Sequence, residues 1–366
     1  MTIKVKAWDL GPANIFVPRF IAAGPGTSRS PGSVFFDFGP APPPWIISNN
    51  YGKLNTTSGV VETWTLPVRM ELPNAIAFNR DFLYVTDSGN GIGRLNMSTN
   101  EFVLWQFPYP FWGRIGYHLA FDGNNRIFFA LVLNLIELWI GCLEISSSTL
   151  TFWSVGQASL IYWAPDIVLD NQGLVSVAYK FGTYSCISQL NPANNRVLRW
   201  ETPYHVLQSL VVDDQGHLFV GNFNSPCKIA RLSPQTSDLW EWDVAYYGGA
   251  MARYPSGIIF YTGLTAVWKF KPTIPPNSVT TLQPTRFRSN PQVVAVNSIV
   301  TTTVPHTPPV QVSSTVNVAQ GTPAGPGLTS FALPGPASAS GPAIDINSAG
   351  HAFFTDSGAS QITYVR

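Results

Sequence analysis

The chain has 366 residues, of which 45% are hydrophobic and only 11% charged, with 21 Lys and Arg against 20 Asp and Glu. That balance creates no field to draw nucleic acid or an anionic membrane, and no apolar run reaches the roughly 18 residues that span a bilayer. Aromatics at 13%, with 30 Gly and 31 Pro, predict an all-β protein of many short strands.

In chain order, the first predicted strand is KVKAWDL (4–10). No continuous apolar segment precedes it, so no signal peptide is expected. Sparse charge with abundant Ser, Thr, Asn and Pro nevertheless suits an extracellular or virion surface. GPAPPPW (39–45) reads as a proline-rich loop, either a recognition segment in polyproline form or a stiff surface loop. Asn55-Thr56-Thr57 and Asn96-Met97-Ser98 fit the glycosylation sequon, which also arises by chance.

A Trp phrase then recurs: TWTLP (Trp64), LWQFP (Trp105), FWSVG (Trp153), RWETP (Trp200) and EWDVA (Trp242). It also opens the chain as AWDLG (Trp8) and returns as SFALP, with Phe331 in place of Trp. From Trp64 the spacings are 41, 48, 47 and 42 residues, followed by an interval of 89 to Phe331. Inside each interval an apolar run such as LVVD leads to a turn such as DDQG. An alternating run such as HLFVGN follows, then a third such as KIARLS. Four short strands in this length are the unit of a β-propeller blade. The repeated Trp residues are expected to pack as spacers between blades, with carbohydrate stacking as the competing role.

Seven such phrases predict a single seven-bladed β-propeller over 1–366. The final FFTDSGASQITYVR (353–366) supplies only the second and third strands of a blade, after PAIDI (342–346) as the first. KVKAWDL is its missing fourth strand. Counted through joined ends, Phe331 to Trp8 is 43 residues, the same period. The expected closure is therefore of the Velcro type, with both chain ends in one blade. The segment 272–327 is a Pro/Thr/Val-rich insertion in blade six. Its run 298–319 centres on PHTPP (305–309) and predicts a β-hairpin arm whose free edges suit a protein partner or self-association. Folding back along its own blade and an eighth blade are the alternatives.

DDQGHLFVGNFNSPCKIARLSPQTSDLWEWDV (213–244) and DFLYVTDSGNGIGRLNMSTNEFVLWQFP (81–108) resemble the repeat unit of the streptogramin B lyase (virginiamycin B lyase) family. The likeness recurs along most of the chain outside 272–327. It implies a seven-bladed ring and, for the lyases, magnesium-assisted elimination that opens an ester-linked cyclic peptide. In that family metal-binding carboxylates are the Glu of WFTE units, and a His precedes the innermost strand of a blade. Here the Glu positions hold Asp37, Asp87, Leu131, Tyr179, Asn222, Thr262 and Asp356, and no His occupies the other position. The Glu set and the His of that family are thus both replaced here.

The remaining chemistry is sparse. Asp37, Asp87 and Asp356 form a candidate arc for a cation or other ligand, Mg²⁺ or Ca²⁺, on neighbouring blades. Equally, each Asp can cap its own turn. His118, His205, Tyr179 and Asn222 are candidate channel-mouth residues, and either His could serve as a general base or as an ordinary hydrogen-bonded histidine. By strand alternation, a one-residue shift should aim His118 away from the family's His direction. His217 and His351 occupy equivalent strand starts and read as structural. Cys142, Cys186 and Cys227 give no disulfide framework. The function that follows is a non-enzymatic binding or structural propeller, with no catalytic residue assigned. A divergent Mg-dependent lyase acting on cyclic depsipeptide esters is the alternative.

Overall fold

In the computed structural model of the chain, each repeat becomes an antiparallel sheet whose strands follow one another in sequence. The described residues are 4–9, 17–23, 32–39, 50–55, 57–67, 73–87, 91–108, 114–123, 125–134, 136–157, 166–181, 184–202, 207–222, 227–244, 250–253, 257–262, 266–270, 285–288, 292–294, 299–318, 320–326, 330–332, 344–346, 351–356 and 361–365. Among them all regular elements are strands, arranged in seven sheets.

Sheet 1 starts with Val17–Ala23, Ser33–Gly39, Asn50–Asn55 and Val60–Thr65, and sheet 2 with Pro73–Asn79, Phe82–Asp87, Gly91–Asn96 and Glu101–Gln106. Sheet 3 starts with Arg114–Phe121, Arg126–Leu133, Glu137–Glu144 and Thr149–Gln157. Sheet 4 does so with Asp166–Leu169, Val175–Phe181, Tyr184–Asn191 and Arg196–Thr202. Sheet 5 holds Leu207–Val212, Leu218–Asn222, Lys228–Ser233 and Asp238–Asp243. Sheet 6 holds Met251–Arg253, Ile259–Thr262, Ala266–Phe270 and Ser330–Ala332. Sheet 7 mixes the two ends of the chain: Ile344–Ile346, Ala352–Asp356 and Gln361–Val365 are followed by Lys4–Asp9. In this sheet Trp8 lies opposite Ile362 and Val5 opposite Val365.

The turns follow from the sequence. Between first and second strands, the Oδ1 of Asp170 accepts the N–H groups of Gln172 and Leu174, and that of Asp213 those of Gln215 and His217. Gly173 and Gly216 then adopt a φ of 80°, open to glycine without a Cβ clash. The third and fourth strands are joined by turns that end in a left-handed residue, among them Asn100, Ser148, Asn195 and Ser237. Three of these turn residues also receive a repeated Trp. Trp64 donates its indole N–H to Asn100 Oδ1 at 3.0 Å, Trp153 to Asn195 Oδ1 at 2.8 Å and Trp200 to Ser237 Oγ at 3.2 Å. In each case the acceptor belongs to the next sheet. The Trp residues are thus buried inter-sheet spacers with a satisfied polar end.

The chain divides into two compact units. One comprises Met1–Trp105, Ala250–Lys271 and His306–Arg366, and the other Gln106–Gly249 and Pro272–Pro305. In the first, the first strands of sheets 6, 7, 1 and 2 lie side by side in that order; in the second, those of sheets 3, 4 and 5 do so. Apolar side chains from facing sheets fill the layers between them. Phe128, Ala130 and Trp153 of sheet 3, for example, pack with Val175, Val177 and Tyr179 of sheet 4.

The segment expected to project as a hairpin is placed otherwise. Its two runs pair with separate sheets and not with each other. Ile299–Thr303 is the fifth strand of sheet 3, Val310–Gln311 of sheet 2 and Ser314–Val318 of sheet 1. Thr285–Arg288 and Gln292–Val294 do the same for sheets 5 and 4, and Gln320–Pro326 for sheet 7. The stretch 285–326 therefore visits six sheets in reverse chain order as a belt of outer strands. The physical reason is that each Trp strand otherwise presents an open ladder edge. Two valines anchor the belt. Val304 is 1% exposed and donates its N–H to Ser148 O, while Val312 is 7% exposed and donates to Asn100 O, both at 2.9 Å. The carbonyls they use belong to equivalent turn residues, Ser148 in sheet 3 and Asn100 in sheet 2.

Candidate functional site

The first strands are regular in sheet 4 but bulged in sheets 1, 2, 3 and 5. In sheet 3, Ile115 lies opposite Leu131 and Leu119 opposite Phe129, so four residues on one strand span two on the other. His118 lies inside this irregularity. A bulge re-aims side chains and breaks period-two alternation, so the orientation read from alternation does not apply to it.

Asp166, the first residue of the Asp166–Leu169 strand, receives His118. The imidazole Nδ1–H donates to Asp166 Oδ1 at 2.5 Å, because a carboxylate oxygen can only accept. Oδ1 also accepts the N–H of Ile167 at 2.8 Å, and Oδ2 accepts the N–H of Leu210 at 2.7 Å. Three consecutive sheets therefore meet at one carboxylate. Its side chain is 1% exposed, whereas that of His118 is 46% exposed. A buried, fully bonded carboxylate behind a solvent-facing imidazole selects the tautomer with Nε2 as the basic nitrogen. Asp345 repeats the clasp in sheet 7, where Oδ1 accepts the Ile346 N–H at 2.8 Å and Oδ2 the Ala23 N–H of sheet 1 at 2.7 Å.

The other candidates, His205 aside, lie on second strands. Asp37 lies opposite Tyr51 and is 1% exposed. Asp87 ends its strand opposite Gly91, and Asp356 ends its strand opposite Gln361. All three lie on second strands, but the side chains of Asp87 and Asp356 are outside the described residues. Tyr179, expected at a channel mouth, is instead a core residue. It is 2% exposed, its hydroxyl is 3.0 Å from Ser188 Oγ, and burial pushes its phenol well above the ordinary range. Alternation explains this, since Val175, Val177 and Tyr179 share the face turned to sheet 3. Asn222 ends its strand opposite Lys228, its side chain not described, and His205 lies outside the described residues. Among the described residues no group of three His, Cys, Asp or Glu is placed to hold a metal ion.

Two further features bear on the titratable chemistry. His217 is held between Asp213 and Arg231: Nδ1 donates to Asp213 Oδ2 at 2.8 Å, and Nε2 lies 3.3 Å from Arg231 Nη2. Burial pushes the Asp213 carboxyl up, but its hydrogen bonds with His217 more than offset this, so it titrates below the usual range. Burial likewise raises the Cys142 thiol to about 12 and the Cys186 thiol to about 11, which leaves both unreactive at neutral pH. Asp166 and Asp345 were not singled out in the sequence. Their shared signal is an Asp-Ile pair at the start of a first strand, shortly after Pro.

No protein-family model matches the chain, and no curated protein matches its sequence. Solved structures do. The extracellular domain of a putative hybrid two-component system from B. thetaiotaomicron is similar at a TM-score of 0.55 and 12% identity, covering 98% of this chain and 39% of that one. A second such domain from the same organism gives 0.54 and 10%, with 98% and 41% covered. The chain thus spans about two fifths of those structures. The Dos1 propeller gives a TM-score of 0.49 at 10% identity, covering 99% of this chain and 95% of that one. At such identities the likeness shows the fold alone. Together with the four- and five-stranded antiparallel sheets, the likeness to the two extracellular domains supports an all-β propeller fold.

Proposed function

We propose that the chain is a non-enzymatic binding or structural protein at an external surface, built as a seven-bladed propeller closed by its N-terminal strand. One observation carries the non-enzymatic reading. At the positions where streptogramin lyases place metal ligands, the described side chains are buried: Asp37 is 1% exposed, Leu131 0% and Tyr179 2%. A ligand set must reach its metal, and Tyr179 instead packs in the core between sheets 3 and 4. Partner recognition then falls to the exposed Thr- and Pro-rich belt, with a second copy of the chain as the first partner to test. Closure is supported by Lys4–Asp9, which pairs on one side with Gln361–Val365 and on the other with Gln320–Pro326. Solution mass of the wild type against Thr301→Lys/Thr303→Lys tests association. A multimer that the charged variant loses is expected, and a monomer in both forms removes the self-assembling reading.

The His118–Asp166 pair favours a second reading, a divergent carbon-oxygen lyase in which His118 removes a carbon-bound proton. Purified protein incubated with Mg²⁺ and a cyclic depsipeptide decides. Ring opening that disappears in His118→Ala would establish the lyase. A cation arc at Asp37, Asp87 and Asp356 belongs to this reading, and calorimetric titration of Mg²⁺ or Ca²⁺ into wild type and Asp87→Asn tests it.

A further inference from the structure

The two sequons occupy one structural position in successive sheets. Asn55 ends the third strand of sheet 1 and Asn96 that of sheet 2. Asn55 Oδ1 accepts the N–H groups of Thr57 and Ser58 at 3.0 and 3.1 Å, and Asn96 Oδ1 those of Ser98 and Thr99 at 2.9 and 3.2 Å. Each backbone carbonyl then takes the N–H four residues on, Gly59 or Asn100, at 2.8 Å. With Oδ1 turned into its own hairpin, Nδ2 is the amide atom directed away from it. Nδ2 is also the atom that carries an N-linked glycan.

Their surroundings differ. Asn55, Thr57 and Ser58 are all exposed. Asn96 is half-buried, its neighbour Met97 packs against the core of sheets 1 and 2, and Asn100 at the end of the turn holds the Trp64 indole. A glycan on Asn55 extends into solvent, whereas one on Asn96 must share space with a packed side chain and an inter-sheet clasp. The hydroxyl residue is Thr at the first sequon and Ser at the second.

We propose that Asn55 is an N-glycan acceptor and that Asn96 is not, an inference that rests on the external-surface reading. In the transfer step Nδ2 of Asn55 attacks C1 of a lipid diphosphate-linked oligosaccharide. The C–N bond forms as the C1–O bond to the diphosphate breaks, the lipid diphosphate leaves, and one amide proton passes to a base of the host transferase. The test is secretion of the full chain, behind a cleavable leader, from a glycosylating eukaryotic host, followed by intact-mass spectrometry before and after peptide N-glycosidase in heavy-oxygen water. A single glycan is expected, with the label at residue 55. It should be lost in Asn55→Gln and in Thr57→Ala and kept in Asn96→Gln. Thr57→Ala retains the Asn55 amide, so it separates loss of the acceptor from loss of the hairpin, and near-ultraviolet circular dichroism reports folding. A folded, secreted wild type without a glycan overturns the proposal, as does a glycan that survives in Asn55→Gln. Since the host imposes the route, the external-surface reading fails separately, by finding the native protein protected from a surface label on its source cells.

Discussion

Replacing Asp166 tests how neighbouring sheets are held. Its carboxylate is buried and takes donors from sheets 3, 4 and 5, with the two backbone donors at 2.8 and 2.7 Å. Asp166→Ala leaves the N–H groups of Ile167 and Leu210 without this acceptor, both in residues 2% exposed. A buried donor left unsatisfied costs about 1–3 kcal/mol, so two cost about 2–6 kcal/mol. Removing a carboxylate that had to be desolvated returns part of this, and the net expectation is about 3 kcal/mol. Asp166→Asn keeps one acceptor oxygen but turns an NH₂ towards a donor, and should cost about 1–2 kcal/mol. His118→Ala removes a half-exposed partner while both backbone bonds remain, so its loss should stay below about 1 kcal/mol. Urea unfolding followed by Trp fluorescence, compared by midpoint at equal slope, gives the order directly. A His118→Ala loss as large as that of Asp166→Ala, or an Asp166→Ala midpoint equal to wild type, refutes the clasp.

Trp200→Phe should cost about 1–2 kcal/mol, from the lost bond to Ser237 and a smaller ring, and Trp200→Ala about 3–5 kcal/mol, both read by the same unfolding assay. Val304→Asp places a carboxylate where the belt is 1% exposed, so residues 299–311 should become the first site of limited proteolysis, with a lower melting temperature. Asp213 has a depressed carboxyl pKa in the folded protein, so its contribution is present above the unfolded value of about 4 and is lost as pH falls through the folded one. Asp213→Asn should therefore flatten the acid limb of a stability–pH curve. Cys142 and Cys186 should resist a thiol reagent at pH ~8 in the native state and react once urea unfolds the chain.

The repeat was legible because local chemistry writes it. A DxxG turn and a third-to-fourth-strand turn are closed by hydrogen bonds that span few residues, and the Trp recurs at a fixed place after them in each repeat. The belt was not legible for the opposite reason. Thr303 pairs with Thr149 and Thr315 with Thr63, partners far away in the sequence. Two β-prone runs around PHTPP look locally like a hairpin, and only the open edges of distant Trp strands decide otherwise. Asp166 was missed because its decisive partner is the backbone N–H of Leu210, which any residue but proline would supply. Alternation does not fix the orientation of His118, because it assumes an unbroken ladder and the irregularity at 115–119 breaks it.

The belt also changes where recognition should be sought. Without it, the Trp strands of six sheets would offer ladder edges to any passing strand. With it, the outermost strand becomes short and interrupted, carrying Pro305, Pro308 and Pro309 between Ile299–Thr303 and Ser314–Val318. Proline and brevity both oppose edge-to-edge growth. What the belt presents instead is a side-chain face. On sheet 3, Thr149 lies opposite Thr303 and Thr151 opposite Thr301, the latter pair with hydroxyls 3.3 Å apart, beside Ile299 at 46% exposure. A partner that reads such a surface meets hydroxyls and methyls in fixed register, with almost no charge. Binding through it should therefore depend little on ionic strength and should be lost when Thr301 and Thr303 become Lys. Strong salt dependence would place the interface elsewhere on the molecule.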